Sequence, residues 1–411
     1  GTGSAWAAVS KDILKDILLH EQSRSTEDGV LAKYAQDKKA EVRARAYRAL
    51  GRMQDVALLP VMAKGLEDKE ESVRLEAVFA VGQLFDSAAE STITLALDRE
   101  KSPAVKARLI EALGKCGSSP DAVARAAGLL QGKDPALARE AGLALGIMGI
   151  RSVSLLSAAP AVREALMSTD PEIRWHAAFA VQRGKLREAV TALRRSLKEK
   201  DSFTLMYSAR AAGELKTRDL AELLVPLLQH PDWRVRVQGL RALGAINYPY
   251  YTSQASLLLE DPNDHVVLTT IESMGKMSSG GGVGRIEEFE QSSDWRIRAA
   301  VLKAEIEGMG DGAVLQAKDA IKDTDWRIRV AAAEGLGKLA TPQSLLLMES
   351  MAKDESPQVA AAVVTALVEC PQKYAVEMIR GYLDASDPAV LGAAAHGAGE
   401  RHDYAAIPKL V

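Results

Sequence analysis

Three things are scarce in this sequence, and each scarcity excludes a class of protein. Only two cysteines, Cys116 and Cys370, occur among 411 residues, which excludes a disulfide framework and predicts buried free thiols. Aromatic residues make up only 5%, which argues against a β-sandwich or a large ligand cavity and suits close helix packing. No run of about 18 apolar residues is present, so no transmembrane helix is expected.

An excess of either charge is also missing. The 52 basic and 55 acidic residues leave a formal net charge of −3. Strong non-specific binding to nucleic acid or to an anionic membrane requires clustered positive charge, so we expect neither. We interpret residues 1–4 (Gly-Thr-Gly-Ser) as a cloning scar and therefore expect the native N-terminus to lie outside this sequence. For the soluble protein that we expect, a cytoplasmic and a periplasmic location therefore both stay open.

A repeated phrase dominates what is present. The phrase returns twelve times. It consists of an acidic residue, a small or β-branched apolar residue that arginine often follows, then alanines, and finally Leu-Gly. The position of the final glycine defines repeats R1 to R12. Successive spacings are 31, 32, 32 and 36 residues and then 31 seven times, although Gln182, Ile306 and Val368 replace the glycine. The twelve positions are 51, 82, 114, 146, 182, 213, 244, 275, 306, 337, 368 and 399. A period of this size predicts an α-solenoid.

One repeat shows the physical logic of the predicted hairpin. In R2, apolar residues at helical spacing predict a first helix over Asp55 to Leu66, followed by a polar turn. A second helix over Val73 to Gly82 presents a single apolar stripe, formed by Val73, Ala77, Ala80 and Val81. Such a hairpin must stack on its neighbours to bury that stripe. The small residue that ends the second helix is expected to form a left-handed C-cap.

Charged residues recur in register with the hairpins. Asp232, Asp294 and Asp325 each precede Trp-Arg, where an aspartate side chain is expected to cap the second helix. In several repeats a cation follows the first valine or isoleucine of the second helix. Because these cations are spaced one repeat apart, they are predicted to pair with the acidic caps of adjacent repeats. These cations include Arg43, Arg74, Lys106 and Arg174. The tryptophans are expected to cover the junctions between hairpins.

The phrases Val42-Arg-Ala-Arg-Ala46, Val73-Arg-Leu-Glu-Ala77 and Ile328-Arg329 with Leu336-Gly337 resemble the HEAT repeat, in particular its short bacterial, phycobilin-lyase-type form. The stretch from Ile17 to Leu84 is similar to the N-terminal array of bacterial proteins that join HEAT repeats to a cyclophilin-type prolyl isomerase. The resemblance implies an all-α solenoid of about twelve hairpins that serves as a scaffold. The HEAT-repeat family also includes an iron enzyme, deoxyhypusine hydroxylase, which is recognised by repeated His-Glu pairs. Only one such pair, His20-Glu21, occurs here.

The repeat predicts one solenoid domain over residues 5–411. Because Asp403 to Val411 aligns with the start of a first helix, we expect the chain to stop inside a thirteenth repeat. The longer step between R4 and R5 adds residues around Ile150 to Val162, either as a longer loop or as an extended first helix. The glycine-rich segment 278–285 is expected to be an inter-helix turn. The tyrosines of Tyr248-Pro-Tyr-Tyr251 either form an exposed knuckle or pack on the next helix.

No catalytic, cofactor-binding or metal-binding constellation emerges, so the leading hypothesis is a monomeric, non-catalytic scaffold for a protein partner. Its candidate partner-binding residues lie on the predicted concave side of the second helices: Trp175, His176, Phe179, Tyr207, Arg210, Gln238 and Arg241. Aromatic residues with arginine are typical interface anchors. A simpler interpretation is that Trp175 and Phe179 only fill gaps between hairpins. Three further functions stay open: a DNA-binding protein of the alkylpurine glycosylase type, a chromophore lyase, and the scaffold arm of a larger prolyl isomerase.

Overall fold

The computed structural model describes residues 10–24, 29–277, 285–351, 354–371 and 373–411. Helices and turns make up this part of the chain, which contains no strand, so the all-α prediction is confirmed. The chain forms two compact units, which divide between Thr217 and Arg218. The cloning-scar prediction for residues 1–4 and most of the glycine-rich segment fall outside the described residues. No helix in the described ranges combines the length and the apolar character that crossing a bilayer requires.

In the first unit, helix α1 (Lys11–Ser23) precedes six helical hairpins and packs against the second helix of the first hairpin. The first helices are α2 (Val30–Tyr34), α4 (Leu59–Gly65), α6 (Glu90–Arg99), α8 (Pro120–Leu130), α10 (Ala159–Ala165) and α12 (Val190–Ser196). The second helices are α3 (Ala40–Met53), α5 (Glu71–Gly82), α7 (Pro103–Cys116), α9 (Pro135–Ile150), α11 (Pro171–Gly184) and α13 (Ser202–Leu215). Consecutive second helices pack side by side. The predicted stripe of α5 is fully buried in this stack.

The second unit repeats this arrangement. Its second helices are α15 (Trp233–Ile246), α17 (Asp264–Met277), α18 (Trp295–Met309), α20 (Trp326–Leu339), α22 (Pro357–Glu369) and α24 (Pro388–Glu400). Its first helices are α14 (Ala221–Leu224), α16 (Thr252–Ser256), α19 (Val314–Ala320), α21 (Pro342–Ser350) and α23 (Lys373–Gly381). In R9 the described part of the first element is the 3-10 turn Glu287–Phe289, and α25 (Ile407–Leu410) follows R12. Both cysteines are buried free thiols, as predicted.

The glycine of the Leu-Gly phrase has a role that differs from the predicted one. It lies inside the second helix or at its last residue, and in several repeats a left-handed residue comes three positions later, for example Gln54 (φ 54°) after Gly51. A Cβ atom on Gly51 would lie only 2.6 Å from the Cα atom of Ala80 in the next second helix. The C-cap prediction is therefore wrong, because the small residue serves the close approach of neighbouring helices.

Where the glycine is replaced, the facing residue changes in two of the three repeats. Ile306 occupies the glycine position of R9, and Gly335 stands in R10 where most other repeats carry the facing alanine. A Cβ on Gly335 would lie 2.1 Å from Cδ1 of Ile306. Val368 and Gly397 form the same inverted pair, with 2.9 Å between the corresponding atoms. The interface between second helices therefore needs one small and one larger residue, on either side.

The predicted arginine ladder exists, but its acceptors are not generally the cap residues. Arg43 donates from Nε and Nη2 to the two carboxylate oxygens of Asp68, at 2.7 and 2.8 Å. Asp68 lies two residues before the N-cap Glu70 and accepts the backbone N–H of that residue. Of the ladder's acceptors, only Asp201, the partner of Arg174, is itself an N-cap. The other ladder pairs are Arg74–Glu100, Arg236–Asp261, Arg298–Asp323 and Arg329–Asp354. Lys106 makes no such pair within the described residues.

The Asp-Trp-Arg motifs behave as predicted at the helix starts. Asp232 accepts the backbone N–H of Arg234, and Asp294 and Asp325 cap their helices in the same way. The ring of Trp233 stacks on His265 of the next repeat at 5.4 Å, and the Arg327 guanidinium lies 4.3 Å from the Trp295 ring. These tryptophans therefore cover junctions between hairpins.

The long step between R4 and R5 is a longer connection and not an extended first helix. Helix α9 ends at Ile150, four residues beyond Gly146, and the turn 151–155 separates it from the next 3-10 turn. Helix α10 has seven residues, the same length as α4. From this turn, Arg151 donates to the carbonyl oxygens of Gly114 and Gly117 at 3.3 and 2.7 Å. The inserted residues thus carry a cation that caps the C-terminal end of α7.

Candidate functional site

The seven candidate residues divide between the two units. Trp175, His176 and Phe179 lie on α11 and Tyr207 and Arg210 on α13, in the first unit. Gln238 and Arg241 lie on α15, in the second unit. Arg241 is exposed and His176 is buried, whereas the other five side chains are half-buried.

An aromatic cluster joins α11 to α13. The Trp175 ring stacks on Tyr207 with 4.9 Å between the centroids and 26° between the planes. Phe179 meets Tyr207 edge-on at 5.9 Å, and Phe203 lies 6.1 Å from Trp175. Stacked and edge-to-face pairs in this distance range add to the stabilisation that burial provides. Because Phe203 is 53% exposed and the other three rings are half-buried, the cluster presents an apolar surface to solvent.

Two arginines lie over this cluster. The guanidinium carbon of Arg183 is 5.7 Å from the centroid of Phe179, and that of Arg210 is 5.2 Å from the centroid of Tyr207. Both distances are within the range of cation–π attraction. We call Trp175, Phe179, Phe203, Tyr207, Arg183 and Arg210 the aromatic patch. The sequence pattern did not indicate Phe203 and Arg183, although each lies one helical turn from a predicted member, at the i, i+4 spacing that brings side chains together.

The patch rests on glycines of α9. A Cβ on Gly146 would lie 2.1 Å from Cδ1 of Phe179, and one on Gly142 would lie 2.9 Å from Cβ of His176. Phe179 therefore fills the space that Gly146 leaves, in agreement with the gap-filling interpretation of this residue. Its ring is nevertheless only half-buried and also contacts Tyr207. The glycine face of α9 thus holds Phe179 in place beside the other rings of the cluster.

His176 lies beneath the rings and is 9% exposed. Its ring is 3.6 Å from that of Trp175, and its Nδ1 has no hydrogen-bond partner. Burial lowers the pKa of His176 to about 4, with a smaller contribution from the positive charge of Arg139. The imidazole is therefore neutral near pH 7, so it contributes apolar surface and no charge.

In other repeats, charged residues on the corresponding side of the second helices form ion pairs, either with the next repeat or within their own helix. Arg48 donates to both oxygens of Glu76 at 2.8 Å. Lys115 pairs with Glu111 at 2.7 Å in the first unit, and Lys303 pairs with Glu334 at 3.0 Å in the second. Within the described residues, neither Arg183 nor Arg210 has a carboxylate within 4 Å. The two arginines of the aromatic patch therefore differ from Arg48, Lys115 and Lys303, whose charges are compensated by carboxylates.

The other candidate features do not form a chemical site. No group of three or more histidine, cysteine or acidic residues in the described ranges could hold a metal ion. Glu21 of the His-Glu pair is bound by Arg45 at 2.5 Å and by Arg52. Of the knuckle tyrosines, Tyr250 is 69% exposed while Tyr248 and Tyr251 are half-buried, so both interpretations hold in part.

Glu305 is a buried acid beside a cavity of about 310 Å³ in the second unit, where it is 2% exposed. Burial and a hydrogen bond with Glu290 raise the pKa of Glu305 from 4.5 to about 8. The folded state therefore binds more protons than the unfolded state between these values, so stability falls as pH rises through this window. Glu305→Gln should remove this slope and stabilise the unit by on the order of 1–2 kcal/mol at high pH.

Urea unfolding at about pH 5, 7 and 9 tests this prediction. Glu307→Gln is the matched control, because Glu307 lies two residues away and pairs with Lys338 at 3.6 Å. An unchanged pH slope in Glu305→Gln would show that Glu305 does not hold the extra proton.

Comparison with known proteins gave one family match. A sequence model of HEAT repeats matches residues 27–96, 205–274, 221–304 and 345–411, which together make up more than half of the chain. The comparison with curated proteins gave no match.

Several solved structures are similar to this chain at low sequence identity. An engineered protein is 20% identical with a TM-score of 0.44, covering 91% of this chain and 98% of its own. The complex of CpcE and CpcF of phycocyanin lyase from Nostoc sp. PCC7120 is 19% identical with a TM-score of 0.41, covering 54% and 92%. Kap95p, in a structure with RanGDP, is 12% identical with a TM-score of 0.49, covering 93% and 60%.

Proposed function

The chain belongs to the HEAT-repeat proteins, and we propose that it is a non-catalytic scaffold that holds a protein partner on the aromatic patch. Stacked helical hairpins of this kind are typical of protein-interaction scaffolds, because they offer a long surface without requiring a catalytic pocket. The observation that carries the proposal is the cluster of three half-buried rings, one exposed ring and two arginines without carboxylate partners in the described part of the chain.

The composition of the patch supports protein binding. Tryptophan, tyrosine and arginine are enriched among the residues that dominate binding energy at protein interfaces. Rings fixed by packing lose little conformational entropy when a partner binds. Trp175 and Tyr207 are held by mutual stacking, and Phe179 is held by the glycine face of α9.

No comparable feature of the described residues favours DNA binding. The tryptophans and aspartates of the Asp-Trp-Arg motifs are used in helix caps and hairpin junctions. Hydrogen bonds from the neighbouring arginines lower the pKa of Asp232, Asp294 and Asp325, so these carboxylates are held as ion-paired caps.

Alanine substitutions test the proposed function. We expect Tyr207→Ala and Phe203→Ala each to reduce capture of protein partners from a cell extract at least about tenfold, the loss typical of an interface hot spot. Phe179→Ala should do the same, although it also opens a cavity beside Gly146. Leu315→Ala and Leu346→Ala are matched controls, because these leucines are 71% and 65% exposed on first helices of the second unit.

Circular dichroism and thermal unfolding of each variant separate loss of binding from loss of fold. If folded Tyr207→Ala and Phe203→Ala proteins retain every partner that the parent chain captures, the aromatic patch is not the binding surface.

A further inference from the structure

Resting on the proposed function, we infer that the partner segment is acidic, with two carboxylates next to an apolar side chain that docks on the aromatic patch. The charge distribution along the second helices of the first unit leads to this inference. From R1 to R3, the cations on this surface already have intramolecular partners: Arg45 and Arg52 bind Glu21, Arg48 binds Glu76, and Arg108 and Lys115 bind Glu111. Arg183 and Arg210 do not have such partners in the described part of the chain.

The position of these two guanidinium groups suits a carboxylate ligand. Each lies over an aromatic ring, at 5.7 Å for Arg183 and 5.2 Å for Arg210, so one face of the group is shielded from water. The edge N–H groups of an arginine held in this way can still donate two parallel hydrogen bonds to a carboxylate. A partly dehydrated guanidinium gains more from such a charge-assisted bond than a fully hydrated one.

The rings beside the arginines provide the apolar part of the surface. Phe203 is 53% exposed, and Trp175 and Tyr207 form a stacked pair beside it. Neighbouring helices pack about 8–10 Å apart, and an extended segment advances about 3.3 Å per residue. Two carboxylates about three residues apart could therefore reach Arg183 on α11 and Arg210 on α13 together. A leucine or aromatic side chain next to these carboxylates would then lie on the rings.

A peptide fits this surface better than a nucleic acid does. Strong binding to a phosphate backbone requires many cationic contacts along the strand. The adjoining helix α9 instead carries Glu140, which has no cation within salt-bridge distance in the described residues. Burial, together with the negative charge of Glu111, raises the pKa of Glu140. A long polyanion that extended beyond R5 would meet Glu140, whereas a short acidic segment confined to R5 and R6 would not.

Selection from a random 12-residue peptide display library on the full chain tests the inference. We expect enriched peptides to carry two aspartate or glutamate residues about three positions apart, next to a leucine or aromatic residue. Arg183→Glu and Arg210→Glu should each weaken these peptides roughly tenfold or more, since each removes a charge-assisted hydrogen bond and adds repulsion. Lys303→Glu is the matched control, because Lys303 occupies the position of Arg210 in R9 and pairs with Glu334.

The outcomes separate the two proposals. Suppose that the selected peptides are neutral or basic, and that Tyr207→Ala abolishes their binding but Arg183→Glu does not. This result would support the proposed protein-binding function and overturn the inference that the partner is acidic. Absence of any peptide that depends on the patch would count against both. Binding of a 30-base-pair DNA duplex that is lost in Arg183→Glu would overturn the acidic-peptide inference in favour of a phosphate ligand. Because both arginines lie on the surface, these variants are expected to fold, and thermal unfolding checks this.

Discussion

Replacing Arg329 by methionine is expected to lower the free energy of unfolding of the second unit by about 3–5 kcal/mol, the cost of leaving a buried charge without its partner. Arg329 is 7% exposed. Its Nε and Nη2 donate to the two oxygens of Asp354 at 2.7 and 2.8 Å, and Nη1 donates to the carbonyl oxygens of Asp323 and Thr324. Methionine would leave one carboxylate and two carbonyl groups without these donors, at the junction between R10 and R11.

Urea unfolding of the full chain measures the loss. Arg296→Met is the matched control, since the Arg296 side chain is 45% exposed and pairs with Asp294 in its own turn. A surface pair of this kind contributes less than about 1 kcal/mol. Equal losses in the two variants would show that the ladder contact adds nothing beyond an exposed ion pair.

The pH dependence gives a second test of the same contact. The hydrogen bonds from Arg329 and from the Ser356 backbone hold the pKa of Asp354 below its ordinary value of 3.8, although burial opposes them. The stability that this lowered pKa contributes is present above pH 3.8 and is lost as pH falls through the folded-state value. The difference between the parent chain and Arg329→Met should therefore shrink in acid. A constant difference would contradict this account of Asp354.

Replacing Gly275 by alanine is expected to destabilise the second unit by about 1–3 kcal/mol, even though alanine is the better helix former. The new Cβ would lie 2.5 Å from the Cα atom of Ala304 and 2.9 Å from its carbonyl oxygen. These atoms belong to the backbone of α18, so the overlap can be relieved only by moving two helices apart. Separation would open the junction between R8 and R9.

Gly392→Ala provides the opposite expectation within the same unit. This glycine lies inside α24, and nothing is within 4 Å of the position that its Cβ would occupy. Alanine should therefore stabilise the unit by up to about 1 kcal/mol through helix propensity alone. Thermal unfolding of the two variants measures the contrast. If Gly275→Ala is as stable as Gly392→Ala, close helix approach does not explain the Leu-Gly glycine.

The repeat period determined most of the fold in advance, because every hairpin must present the same stripe to its neighbours. The register of R2, the aspartate caps and the buried thiols all agree with the structure. The role of Gly51 could not be read from its own repeat, since the contact that requires a glycine is made by Ala80 of the following repeat. Likewise, the ladder acceptor Asp68 was missed because a linear sequence does not show which of two nearby acids an arginine reaches.

The candidate site was only partly predictable, for a related reason. Helical positions indicated Trp175, Phe179, Tyr207 and Arg210, and the structure places these four together. Phe203 and Arg183 lie one turn outside the positions that the repeat logic selected, and their contribution depends on ring orientation. Gln238 and Arg241 belong to the second unit, so their part in partner binding stays a prediction.

The inverted pairing at R9 and R10 restricts how such a chain can gain or lose repeats. Without R9, Gly275 would face Gly335 and leave a gap, whereas without R10, Ile306 would face Ala366 and overfill the interface. Losing both hairpins together would place Gly275 against Ala366, a glycine–alanine match of the kind that Gly337 makes with Ala366 in this structure. R9 and R10 should therefore be gained or lost as a pair, so the module of duplication and deletion at this point in the chain is two hairpins long.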